Sequence, residues 1–144
     1  MKFMIIVKAT KETEAATSPG DGIPNSEAIV SEMTNYHEEL AKAGALVDAS
    51  GLHPTSKGWR IRHSGGKRTV IDGPFAETKE HIAGYTLIEV NTREEALEWT
   101  RRFPNPKGEE MEAEIEVRQL YELDEFESSA DIDRFRKMKT GLKK

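Results

Sequence analysis

Asp72 and His53 are the residues whose type and setting could do chemistry. Asp72 stands where a run of strand-forming residues, Arg68 to Asp72, gives way to Gly73-Pro74. A carboxylate at a strand end beside a cavity can act as a base or orient a histidine. An aspartate before glycine can equally accept a backbone N–H of its own turn. His53 follows Gly51-Leu52 and is stiffened by Pro54. A neutral imidazole near a carboxylate suits proton transfer at neutral pH. Contact with a ligand, or the part of an ordinary loop histidine, are the other readings of His53.

Three further residues are candidates for binding a substrate. Lys79 could hold an anion, or join Glu77 and Glu80 in an ion-pair cluster that pins the turn. Arg118 could take a carboxylate with two parallel hydrogen bonds, or pair with Glu116 on its own strand. Tyr85 could offer its phenol to a ligand, although a strand tyrosine also serves as packing. No metal site is expected. The four histidines lack the one-turn spacing of helical ligand pairs, and the chain has no cysteine. No glycine-rich nucleotide loop or nucleophile elbow occurs, and no cofactor is expected.

The elements that must position these residues follow from periodicity. Phe3-Met4-Ile5-Ile6-Val7 is apolar on both parities and reads as a strand covered on both faces. Thr10 to Asn25 reads as a long polar loop. Ser26 to Ala43 reads as a helix with Ile29, Met33, Tyr36 and Leu40 on one stripe, Ser26 or Asn25 as cap, and Gly44 as stop. Ala45 to Leu52 is a second strand. Trp59–His63 and Arg68–Asp72 flank Ser64-Gly65-Gly66-Lys67, a hairpin signal. Gly84 to Val90 is another strand. Thr92 to Glu95 is a capping box that opens a second helix with Ala96, Trp99, Thr100 and Phe103 inward. In the last strand Ile115, Val117, Gln119, Tyr121 and Leu123 share one face, and Glu114, Glu116, Arg118 and Glu122 the other. Removing the hairpin from β-α-β, hairpin, β-α-β leaves a ferredoxin-like α+β arrangement with an antiparallel sheet. Helices cover one face of such a sheet. A second copy is the simplest cover for the other. Residues 127–144 read as a tail, frayed or forming a short amphipathic helix through Ile132, Phe135 and Met138.

Composition narrows the function classes. The chain has 144 residues, a net charge of −5 and no cysteine. Disulfides and thiol chemistry are excluded, and a cytoplasmic setting is expected. No apolar run reaches the length of a membrane span, so no membrane partner is expected. The acidic balance argues against nucleic acid as a main partner, despite Trp59 with Arg60 and Arg62.

Asp72-Gly73-Pro74-Phe75-Ala76-Glu77-Thr78-Lys79-Glu80, with Ala83-Gly84-Tyr85, closely resembles the signature of the DGPF group in the YCII-related family. The likeness runs from Met1 to about Phe126 and includes Gly51-Leu52-His53-Pro54, Ser64-Gly65-Gly66 and Glu114 to Gln119. The resemblance implies a dimeric α+β barrel over residues 1–126, with two sheets face to face. It implies a His–Asp pair in a cleft, which His53 and Asp72 would supply. It leaves two functions open. One is a cofactor-independent small-molecule enzyme working by acid–base chemistry. The other is a non-catalytic small-molecule-binding or regulatory protein, because DGPF relatives often accompany extracytoplasmic-function sigma factors.

Overall fold

The computed structural model describes residues 1–19, 21, 25–76, 80–108 and 111–141. Lys2–Lys8 form β1, Leu46–Gly51 form β2, Ile82–Glu89 form β5 and Ile115–Gln119 form β6. These four strands make one antiparallel sheet in the order β2-β5-β1-β6. Trp59–Ser64 (β3) and Lys67–Asp72 (β4) make a separate two-stranded sheet. With that hairpin set aside, the strand order is that of the ferredoxin-like α+β fold.

Ser26–Lys42 form α2 and Arg93–Arg101 form α3. The stripe expected of α2 is real: Tyr36 and Leu40 are buried, and Ile29 and Met33 half-buried. Gly44, at φ +73°, ends the helix as expected. Asn25 occupies the cap position, but its side chain makes no capping bond. Thr92 Oγ1 accepts from Glu95 N at 3.1 Å and starts α3.

The core joins Phe3 and Ile5 of β1, Ile88 of β5, and Tyr36 and Leu40 of α2 with Ala96 of α3. Trp99 and Phe103 stand edge-on to the Tyr36 ring. Side chains alternate across a strand, so the register fixes the opposite face. Met4 lies across from Leu87 and Arg118, and Ile6 from Tyr85 and Glu116.

One buried polar group ties the helices together. The Tyr36 hydroxyl donates to the Trp99 carbonyl at 2.7 Å. Burial pushes its pKa up from 10.0 to about 12. Folding therefore favours the protonated phenol, a contribution whole below pH 10 and lost as pH rises through the folded value. Tyr36→Phe should cost about 1 kcal/mol near neutral pH, by leaving the Trp99 carbonyl unpaired. The variant should also lose less stability than wild type between about pH 9 and about pH 11.5. Urea unfolding at both pH values measures the two effects.

The stretch expected to be a long loop is not all loop. Lys11–Ala15 form a short helix, α1. Thr10 Oγ1 accepts from Thr13 N, and Thr13 Oγ1 from Thr10 N at 2.7 Å. The last strand is shorter than its alternation suggests. After Gln119 the chain passes into a 3₁₀ turn at Leu123–Glu125. Ala130–Gly141 form α4, with Phe135 and Met138 exposed.

Candidate functional site

Three grooves meet at one end of the four-stranded sheet. Ala83 lines all of them, Gly51 and Thr13 two each. Gly84 is buried, and a Cβ there would lie 2.9 Å from Ser50 O on the neighbouring strand.

His53 lines the first groove, a cleft of about 590 Å³. Its other walls are Leu52, Pro54, Ser56 and Lys57 on one side, and Thr13, Ala16, Thr17 and Ser18 on the other. His53 is exposed. Among the described residues its imidazole makes no hydrogen bond or ion pair. The loop wall is shaped by Asp21, whose carboxylate accepts from Thr17 N, Thr17 Oγ1 and Ser18 N. Those bonds, the Thr17 hydroxyl's first, hold the Asp21 carboxyl below the usual carboxylate range.

Glu14 fastens the two walls together. Its carboxylate accepts from Thr55 N at 3.1 Å and from Thr55 Oγ1 at 2.5 Å. Thr55 Oγ1 in turn accepts from Phe75 N at 3.1 Å. Gly73 N donates to Gly58 O at 2.9 Å. The Asp72-Gly73-Pro74-Phe75 turn is thus bonded to the 3₁₀ turn Thr55–Lys57, which supplies Ser56 and Lys57 to the cleft. Glu14 and Thr55 escape a reading of the sequence. They are 41 residues apart, and no local pattern links an acid in one loop to a threonine in another.

Asp72 is exposed at the base of the hairpin, opposite Trp59. Asp72 is absent from the walls of all three grooves. No described residue forms an ion pair or side-chain hydrogen bond with it. His53 and Asp72 are joined through the backbone bonds of the two turns, not by a direct bond.

The candidate binding residues are scattered. The Tyr85 hydroxyl donates to Asp48 Oδ2 at 3.0 Å. Arg118 Nη1 donates to Glu116 Oε2 at 3.3 Å, and Lys8 Nζ lies 3.0 Å from Glu116 Oε1. The bonds from Lys8 and Arg118 hold the Glu116 carboxyl below its ordinary value. Arg118 thus spends one guanidinium nitrogen on its strand neighbour, the internal pairing that its position allowed. Lys79 and Glu77 lie outside the described residues.

A third groove, of about 790 Å³, runs between α2 and the sheet. Ile29, Met33, Leu46 and Phe103 make its walls mainly apolar. His37 is among its polar groups, and both ring nitrogens are engaged. Nδ1 lies 2.6 Å from Met33 O and Nε2 2.8 Å from Thr86 Oγ1. A carbonyl can only accept, so Nδ1 carries a proton. Among the described residues, no cluster of three His, Asp or Glu side chains could hold a metal ion. Among the same residues, no helix is long and apolar enough to cross a membrane.

The family model of the YCII-related domain matches residues 1–123. The chain belongs to the YCII-related family. It is also 33% identical over 102 residues to an uncharacterized protein of Rhizobium meliloti (strain 1021), covering 71% of this chain and 82% of that protein. The matched span takes in the whole four-stranded sheet, the hairpin and the walls of the His53 cleft.

Proposed function

We propose that this YCII-related protein binds a small organic molecule in the His53 cleft and exchanges a proton with it, without a cofactor. The observation that carries this reading is the His53 imidazole, which makes no bond to any other described residue, on the wall of a cleft of about 590 Å³. That volume falls within the usual range for small-molecule sites, about 300–1,000 Å³. Apolar walls from Leu52, Pro54, Ala16 and Ala83 would exclude water around the ligand. The hydroxyls of Thr13, Thr17, Ser18 and Ser56 would orient it. An imidazole with both nitrogens available can give or take a proton near neutral pH.

In this reading Asp72 is a positioning residue. It opens the turn that braces the His53 side of the cleft. The protein works as a homodimer, with a second copy laid on the open sheet face of Met4, Ile6, Tyr85 and Leu87. Helices on one face and half-buried apolar side chains on the other support that arrangement.

Amide NMR with a library of small carboxylic acids and amides tests the cleft. Ligands should shift Gly51 to Ser56 and Thr13 to Ser18, and His53→Ala should weaken them about ten-fold, the loss of one hydrogen bond. Ligands that move only α2 and Phe103 residues would transfer the site to the apolar groove. Unchanged affinity in His53→Ala would remove His53 from the mechanism.

A further inference from the structure

The hairpin of β3 and β4 is built unlike the rest of the molecule. Trp59, Ile61 and Val70 share one face of it, because Ile61 stands opposite Val70, and Trp59 lies two residues before Ile61. They are 64%, 45% and 61% exposed. Every residue from Trp59 to Val70 is exposed. An isolated two-stranded ribbon is marginal in water, and normally needs another strand or layer against its apolar face.

Its ties to the body lie at its base. Arg60 stacks on the Phe75 ring, with the guanidinium carbon 3.8 Å from the ring centroid. Gly73 N bonds Gly58 O. Neither contact covers Trp59, Ile61 or Val70.

Charge says what kind of surface would cover them. Arg60, Arg62, Lys67 and Arg68 stand against Asp72 alone, in a chain of net charge −5. The remainder of the chain is therefore more acidic than the whole. Among the described residues, Arg62, Lys67 and Arg68 form no ion pair. A basic apolar arm and an acidic body are complementary between two copies of one chain.

We infer that the hairpin is an arm that reaches across to a second copy of this chain. Its Trp59-Ile61-Val70 face packs on the partner, and Arg68, which stands opposite His63 on that same face, meets the partner's carboxylates. A nucleic acid fits the cations but leaves the two aliphatic side chains of that face without a match, so protein is the better occupant. The inference rests on the homodimer proposed above, and adds the arm to its interface.

Sedimentation equilibrium on the full chain tests it with two arm variants, Trp59→Ser/Val70→Ser and Arg68→Glu. Each should raise the dimer dissociation constant about ten-fold or more, since exposed anchor residues of this kind carry much of an interface. Circular dichroism should be unchanged, because none of the three is part of the core. Added salt should weaken the wild-type dimer more than the charge-reversed one. If both variants keep the wild-type constant while Leu87→Lys abolishes the dimer, the arm is not in the interface and the sheet-face dimer stands. A wild-type monomer at high micromolar concentration would overturn the homodimer and the arm together. Loss of duplex DNA binding in the charge variant, with an unaltered dimer, would make the arm a polyanion site and overturn the inference.

Discussion

Gly73→Ala is expected to cost about 3 kcal/mol of folding stability, the upper part of the usual range for overpacking. A Cβ on Gly73 would lie 1.8 Å from Thr55 O, 2.7 Å from Thr55 C and 3.2 Å from Gly58 O. These are backbone atoms, and they cannot swing aside as the end of a long side chain can. Relief requires the turn to lift off the 3₁₀ segment. That movement would break the bonds from Gly73 N to Gly58 O and from Phe75 N to Thr55 Oγ1. Gly44→Ala is the control. Gly44 has φ +73° and nothing within 4 Å of its Cβ position, so alanine there should cost only about 1 kcal/mol in backbone strain. Urea unfolding of the two variants side by side makes the comparison. If Gly73→Ala loses no more than Gly44→Ala, the close approach is not what the glycine provides. The same variant should disturb the His53 cleft, since the displaced segment carries Ser56 and Lys57.

The case of Gly73 shows where sequence reasoning reaches its limit. A glycine before proline suggests a special backbone angle. Gly73 is not among the glycines of positive φ, which among the described residues are Gly44, Gly65, Gly66 and Gly108. What requires it is a contact with Thr55, eighteen positions away, and no local pattern encodes that distance. The main elements were legible because burial has a period. Tyr36 and Leu40 repeat at the helix spacing, and along β5 the buried Gly84, Thr86 and Ile88 alternate with the half-buried Tyr85 and Leu87. The Glu116–Arg118 pair was legible for the same reason, being two residues apart on one strand. The helix α1 was not, since Lys-Glu-Thr-Glu-Ala has no apolar stripe and buries no residue. It is held instead by Glu14 on Thr55. The candidate site divides in the same way. Strand ends place His53 at a rim, but they do not say which of three converging grooves it lines, or that Asp72 lies outside all of them.

Leu87→Lys is expected to separate the proposed dimer, raising its dissociation constant by about 1,000-fold or more. Leu87 lies on β5, an inner strand of the sheet, between Met4 of β1 and Asp48 of β2. Its side chain is half-buried and on the face away from the helices. In an isolated chain the new ammonium is tolerable. Asp48 is the cross-strand neighbour, exposed, and able to pair with it. Against a second sheet the same ammonium would sit at the centre of the interface, cut off from water. An uncompensated buried charge costs about 3–5 kcal/mol. A two-fold interface repeats every substitution, so the penalty is taken twice. Thermal unfolding of the diluted variant should differ little from diluted wild type, which separates loss of association from loss of fold. Sedimentation equilibrium reads the constant directly. A variant that dimerises as tightly as wild type would mean that the open face is covered by something other than a second sheet. The amphipathic helix α4, with Phe135 and Met138 exposed, would then be the next element to remove.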